Sequence, residues 1–534
     1  MRRWRLVLLL ILASVPLSHA RAQECGTIIL PTGIGETSSA DVTSFNPLFS
    51  DSAYNQEAAA LLFPALVWVN RFAQIDWSRS LASSITTPDD RVFTITLRNW
   101  HWSDGVAVTA GDVAYEFALI KQYGPDWPGY GQGGLPELVQ SMNVVSPTQL
   151  RVVLKHAVNP TWFIYNGLAV LQPLPQHVWG RFTLDQMFQM QSTPEFFSVV
   201  DGPVKVQSLA IGLDAVFVPN PDYDGPKLYF SRLVFKFLQG DGAAIQGVES
   251  GDTDAAMLPP TLWNSVQGVP GIHTEVLQQT DFANVILLNF KNPAVGFFED
   301  VRVRQAIEDA IDQKTMIALL FHGAGNVAYG PVPADLQGFL PPGGLGGGYD
   351  PARARALLQE AGFTPGADGI LQRRGVRLSF TYLEPAGSNA LGEMDEFVQS
   401  NLRAVGIEMK IHTMDFNQML ALMAGPPGGW QAGGVGMPAL PYPSGEGQFA
   451  TGAGQNFGGY SDAVMDRLIA ANVNSPGLDK LFAYEEYVGA QLPVIFFAGA
   501  KPVVVVRDRL HGMGDFVDPA GQFAPDQLRC SGGP

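Results

Sequence analysis

Runs that alternate apolar and polar residues recur along this chain, interleaved with stretches of helical spacing. That interleaving restricts the fold more than any other feature. Over residues 91–98, Phe93, Ile95 and Leu97 share one face while Thr94, Thr96 and Arg98 share the other. A period of two marks a half-buried strand. Trp100, Trp102 and a Ser103-Asp104-Gly105 turn follow. Thr109 then stands at a helix N-cap, with Asp112 three residues on as an approximate capping-box partner. Tyr115 to Ile120 continue that helix, and residues 150–154 and 215–218 read as further strands. After Asp300, the positions Val303, Ile307, Ala310, Ile311, Ile317 and Phe321 predict one helix, ended by Gly323. The next helix is punctuated by Asp350 as N-cap, Pro351 at the first position and Gly362 beyond the end. A third helix spans about 391–405 and stops at Gly406, and 407–412 reads as a strand. Strands interleaved with helices predict α/β lobes.

The N-terminus constrains the compartment. Arg2, Arg3 and Arg5 precede an apolar run over 6–15. That run is shorter than the roughly 20 residues a bilayer span needs, and it fits the core of an export signal. Ala20-Arg21-Ala22 supplies a small-x-small site, so cleavage is expected before Gln23. An N-terminal membrane anchor and a lipid on Cys25 are the alternatives. Glu24 stands where a lipid-modification site wants a small residue.

The chain carries 33 Lys+Arg against 50 Asp+Glu, net −17. The segment 1–22 holds four arginines and no acids, which leaves about −21 beyond it. Such a surface repels nucleic acid and anionic lipid. The 534 residues, 46% hydrophobic, exceed one core, so two or three domains are expected. Only Cys25 and Cys530 are present. In an oxidising compartment the economical reading is a disulfide joining the two ends, with two free thiols as the alternative.

No catalytic constellation stands out. There is no nucleophile-elbow, zinc-protease, P-loop or C-x-x-C motif. Gly343 to Gly348 follow a proline pair and no strand, and read as a loop. The eight histidines are scattered, and none pair at metal-ligand spacing. His322, near a helix end, is expected to cap carbonyls. No cofactor and no metal are expected, and a secreted hydrolase is disfavoured.

Five ordered blocks carry a family resemblance. Phe93-Thr94-Ile95-Thr96-Leu97-Arg98, Trp102-Ser103-Asp104-Gly105 and Val108-Thr109-Ala110-Gly111-Asp112-Val113 form the first. Asn220-Pro221-Asp222-Tyr223 is the second. Asp300-Val301-Arg302-Val303-Arg304-Gln305-Ala306-Ile307 with Ala310-Ile311-Asp312 is the third. Tyr349-Asp350-Pro351 through Leu357-Leu358, with Ala361-Gly362-Phe363, is the fourth. Gly459-Tyr460-Ser461 with Asp466-Arg467-Leu468-Ile469 is the fifth. Together they resemble the family 5 (peptide/nickel-type) extracellular solute-binding proteins of ABC transporters. The motif residues read as structural: the tryptophans and their turn would organise the second lobe, and Arg302 and Arg304 would begin a packed helix.

The resemblance implies an α/β, two-lobed periplasmic-binding-protein clamp (type II, cluster C) with an extra inserted domain. Lobe one would be 23–48, 178–285 and 488–534, the insert 49–177 and lobe two 286–487. Both termini then share one lobe, as a Cys25–Cys530 bridge needs. It further implies a periplasmic monomer that takes a small-molecule or peptide-like ligand between the lobes, closes on it and meets ABC permease subunits. A nickel or metal-chelate receptor of the same fold is the alternative.

Peptide receptors of the family hold an α-amino group with an aspartate shortly after a tryptophan. Here Gln431 to Pro438 follow Trp430 without one. Dipeptide receptors also use an arginine in the loop that here runs Tyr382 to Gly387, and none is present. An unpartnered buried ammonium or carboxylate would be costly, so zwitterionic dipeptides are disfavoured. The expected cleft residues are Phe45 and Asn46 in the early loop, Trp430 and Tyr442 in the divergent loop, Asn456 and Phe457 at its end, and Glu384 toward a cationic group.

Overall fold

The computed structural model describes residues 25–531, apart from 33, 35–40, 51, 71, 239, 278–282, 335, 387–388, 438–439 and 518–521. The expected signal segment with its cleavage site, and the loop positions Gly387 and Pro438, lie outside the described residues.

The first lobe carries two sheets. In one, Thr27–Pro31 pairs in parallel with Arg232–Lys236, and Asp214–Pro219 and Val204–Ala210 extend it antiparallel. In the other, Val503–Arg507 lies between Ile272–Val276 and Ala255–Met257. A small apolar cluster of Ala244, Ile245, Val248, Val503 and Val505 lies against that second sheet. Cys25 and Cys530 are bridged, with Cα atoms 5.2 Å apart, so both ends of the chain are tied to this lobe.

The insert is a four-stranded antiparallel sheet ordered Ala82–Thr86, Val92–Leu97, Gln149–Leu154, Val139–Ser146. Phe93, Ile95 and Leu97 are buried, as their alternation predicts. The helix Ala110–Tyr123 begins at the expected capping box: Asp112 Oδ2 accepts from Thr109 N at 2.8 Å and from Thr109 Oγ1 at 2.9 Å.

The tryptophans do not organise the second lobe, as the motif reading expects. Trp100 joins the insert to the first lobe, and Trp102 packs inside the insert. Trp100 Nε1 donates to Asp201 O at 2.9 Å, and its ring meets Tyr223 edge-on at 5.5 Å. Trp102 packs against Phe63. Both indoles are buried, where a large flat side chain covers most apolar surface.

The second lobe is built on a five-stranded sheet ordered Glu408–Met414, Ser379–Pro385, Ala432–Met437, Ala283–Leu288, Val494–Phe497. The first three strands run parallel and the last two antiparallel to their neighbours. The expected boundary at 487/488 falls inside the helix Asp479–Gln491, and the strand Val494–Phe497 that follows pairs in this sheet.

The stretch after Asp300 is two helices, Val301–Ala310 and Gln313–Leu320, where the spacing predicts one. Ile311 is extended between them. Asp312 starts the second by accepting from Thr315 N at 3.0 Å and Thr315 Oγ1 at 2.8 Å. Its own N–H donates to Asn401 Oδ1 at 2.9 Å on the helix Asn389–Ala404. The tertiary partner makes the break favourable where periodicity alone favoured continuity. The helix Pro351–Glu360 follows its punctuation: Asp350 Oδ1 accepts from Arg353 N at 2.8 Å, and Gly362 takes φ +85°. His322 stacks on Trp263, with centroids 5.3 Å apart and planes at 13°.

Candidate functional site

The chain crosses from the first lobe to the second between the strands Ile272–Val276 and Ala283–Leu288. It returns between Val494–Phe497 and Val503–Arg507. Two crossings of this kind are the covalent requirement for a hinge, because each absorbs the backbone rotation of a rigid-body swing.

Beside these crossing strands, against the second-lobe sheet, lies a cavity of about 200 Å³. Its walls come from the crossing strands (Leu287, Val494), the strand Ala432–Met437 (Val435, Met437), the helix Phe416–Met423 (Leu420) and the loop 448–458. Phe290, Phe416, Phe449, Phe457 and Tyr460 supply aromatic surface, and Gln448, Gln455 and Asn456 supply amides. Among the described residues no lining residue is an acid, a base or a histidine. Asn456 is fixed: its Nδ2 donates to Ala450 O at 3.0 Å and Tyr460 O at 2.8 Å, and its Oδ1 accepts from Tyr460 N at 3.0 Å. Such a surface offers dispersion and amide hydrogen bonds, and no counter-charge.

The insert and the second lobe are joined by five hydrogen bonds among the described residues. Asn159 N donates to Val473 O at 2.7 Å, and its Nδ2 reaches Tyr442 Oη at 2.9 Å and Asn472 O at 3.0 Å. Asn166 pairs with the Tyr442 backbone in both directions, donating to its carbonyl at 2.8 Å and accepting from its N–H at 2.9 Å. Phe339 lies edge-on to both Tyr442 and Tyr165, extending the contact with apolar area.

Of the residues expected at the cleft, Asn456 and Phe457 line the cavity. Tyr442 is fully buried in the junction, and Tyr442 Oη also donates to Asn472 Oδ1 at 2.6 Å. Burial pushes that phenol well up. Trp430 is buried, and its carbonyl accepts from Asn289 Nδ2 at 2.9 Å and Asn292 Nδ2 at 2.6 Å. Glu384 is buried; its Oε2 accepts from Thr413 Oγ1 at 2.5 Å, and its Oε1 has no partner among the described residues. Phe45 and Asn46 are buried in the first lobe, Phe45 edge-on to Phe197 at 5.6 Å and Phe217 at 5.8 Å. Asn46 Oδ1 accepts from Leu48 N at 3.0 Å.

Sequence reasoning missed the aromatic wall formed by Phe290, Phe416 and Phe449. These residues are more than 120 positions apart at their extremes, and no local pattern links them.

Three buried carboxyls of the second lobe are raised well above the usual carboxylate range. Burial raises Glu485 to about 9, helped by Glu486. It raises Glu446 to about 7. It raises Asp395 to about 7 despite the Tyr382 hydroxyl at 2.8 Å. Desolvation without a cation disfavours the ionised form in each. The scattered histidines do converge at one place, contrary to the spacing argument: His273, Glu275 and His511 come together on the first lobe. Among the described residues no helix is long and apolar enough to cross a membrane.

The family model of bacterial extracellular solute-binding proteins, family 5 Middle, matches residues 77–455. Protein XP55 of Streptomyces lividans is 29% identical over 384 residues, 71% of this chain and 66% of that protein's length. The oligopeptide-binding protein AppA of Bacillus subtilis is 24% identical over 472 residues, 86% of this chain and 82% of its own. Its structure in complex with a nonapeptide superposes with a TM-score of 0.71 at 21% identity, covering 96% of this chain and all of that one. NikZ of Campylobacter jejuni in complex with Ni(L-His) superposes with a TM-score of 0.72 at 21% identity, covering 91% of this chain and 94% of that one.

Two lobes, two crossings and an inserted domain define a type II periplasmic-binding-protein clamp. The chain belongs to family 5 of the bacterial extracellular solute-binding proteins, and it is not an enzyme.

Proposed function

We propose that this protein is the extracytoplasmic substrate-binding component of an ABC importer. It captures a peptide-like or other small organic solute between its lobes by hinge closure and delivers it to a membrane permease. The observation that carries this reading is the uncharged cavity of aromatic and amide side chains beside the crossing strands. The ligand site includes that cavity, with Asn456 and Phe457 in contact. Phe45, Asn46, Glu384, Trp430 and Tyr442 shape the surrounding cleft. A neutral segment of peptide suits such walls. A zwitterionic dipeptide does not, because neither of its charges would find a partner there.

Lobe one is taken as 23–48, 178–285 and the C-terminal segment, the insert as 49–177, and lobe two as 286 to the strand ending at Phe497. The protein works as a periplasmic monomer, exported by the segment 1–22 and cleaved before Gln23. A nickel-chelate receptor is the second reading, supported by the likeness to NikZ. The cavity offers no histidine or carboxylate to a metal.

A thermal-shift screen over peptides, sugars, amines and metal chelates tests the proposal. Uncharged oligopeptides, or another neutral organic solute, should raise the unfolding temperature without being consumed. The strongest shift from dipeptides or from metal chelates would overturn it.

A further inference from the structure

We infer that the first lobe carries a divalent transition-metal site at His273, Glu275 and His511, separate from the ligand cavity of the second lobe. One donor atom from each residue, two imidazole nitrogens and a carboxylate oxygen, lies within 4.8 Å of the others. His273 and Glu275 stand two apart on the strand Ile272–Val276, so their side chains share a face. His511 ends the short strand Leu510–His511, and its ring lies 5.3 Å from that of His273.

The closest pair, His273 Nε2 and Glu275 Oε1, is 3.1 Å apart. Ligands at about 2.0–2.2 Å from a tetrahedral ion are separated by about 3.3–3.5 Å. The pair stands at hydrogen-bond distance, a few tenths of an ångström closer than two ligands of one ion, so a small opening would admit the metal. His511 is exposed.

The surroundings complete the case. His273 Nδ1 lies 3.1 Å from Asp508 Oδ1, leaving Nε2 as the ligating nitrogen. A carboxylate behind an imidazole fixes the tautomer and raises its basicity toward a metal. Glu275 Oε2 accepts from Gly514 N at 2.8 Å, which holds that carboxylate and leaves Oε1 to ligate. The backbone is also held. His273 pairs with Val506 in one sheet, His511 pairs with Arg529, and Leu510 pairs with Cys530 of the disulfide. An ordinary surface ion pair needs one histidine and one acid. Here two imidazoles and a carboxylate converge, with an outer carboxylate aligning the first imidazole. Two nitrogens and one oxygen, with a position left for water, suit Zn²⁺ and its late first-row neighbours over Ca²⁺ or Mg²⁺.

Zn²⁺ titration of the metal-stripped mature chain, followed by calorimetry, tests this. One ion per chain is expected. His273→Ala and His511→Ala should each abolish that binding. Asp508→Asn should keep the stoichiometry and weaken affinity roughly tenfold. Glu275→Gln should weaken binding while keeping an acceptor for Gly514 N. Cu²⁺ bound to the wild type should show hyperfine coupling to two imidazole nitrogens, a signal that His511→Ala should lose. Circular dichroism and the unfolding midpoint of each variant separate lost binding from lost fold. Absence of Zn²⁺ binding by the wild type would overturn the inference. So would undiminished binding in folded His273→Ala and His511→Ala, which would place the metal elsewhere.

Discussion

Replacing Asn166 by alanine separates the insert from the second lobe without touching the cavity. The Asn166 amide makes two hydrogen bonds to the backbone of Tyr442, at 2.8 and 2.9 Å, in a junction where Tyr442 is fully buried. With alanine there, the Tyr442 N–H loses its partner whenever the two domains are joined, while the carbonyl still accepts from Ser444 N at 2.8 Å. When the domains swing apart, the same N–H meets water, so the loss falls on the joined state alone. An orphaned buried group costs about 1–3 kcal/mol, and about 2 kcal/mol is a central value for this one. That lowers the ratio of joined to separated molecules roughly 30-fold. If the joined state is the one that holds ligand, affinity falls by up to the same factor, depending on how populated that state is in the wild type. Small-angle scattering reads the joined fraction through the radius of gyration. Calorimetry with the solute found in the screen reads affinity. The expected result is a larger radius for the unliganded variant, weaker binding, and restoration of the compact form at saturating ligand. An Asn166→Ala protein with native circular dichroism, unchanged scattering and unchanged affinity would refute the argument that these bonds bias the lobes.

Two further outcomes follow from the same physics. Glu485, raised by burial from the usual 4.5 to about 9, stays protonated in the folded chain while the unfolded chain ionises above 4.5. Rising pH therefore weakens folding by about 1.4 kcal/mol per unit across that window. Glu485→Met removes this group, so its denaturant-unfolding advantage over the wild type should widen by about 5 kcal/mol from pH 5 to pH 9; a pH-independent difference would show that the carboxyl ionises normally. The disulfide closes a sequence separation of 505, for which the chain-entropy relation gives about 6 kcal/mol. A Cys25→Ser, Cys530→Ser chain should unfold at lower urea than the oxidised wild type, and dithiothreitol should lower the wild type alone.

Much of the local structure was legible in the sequence because its causes are local. The capping box at Thr109 and Asp112, the Asp350-Pro351 start and the Gly362 stop each depend on atoms within about four residues. The buried face of 91–98 follows from the pleat. The family blocks were equally readable, since they are contiguous.

The failures share one feature, dependence on a distant partner. The helix after Asp300 breaks because Asp312 N finds Asn401, 89 residues away. Trp100 serves the insert–first lobe junction because Asp201 and Tyr223, more than 100 residues on, meet it there.

By itself, then, the sequence determined the α/β alternation, the family and the identity of the two cysteines that bridge. Only the tertiary structure decided which side chains meet. It set Phe290 beside Phe416 and Phe449 around one cavity, tied Asn166 to Tyr442 across 276 residues, and brought His511 to His273. Secondary structure is fixed by torsions and hydrogen bonds within a few residues. A binding site is fixed by how sheets and helices pack, and that packing has no period to read along the chain.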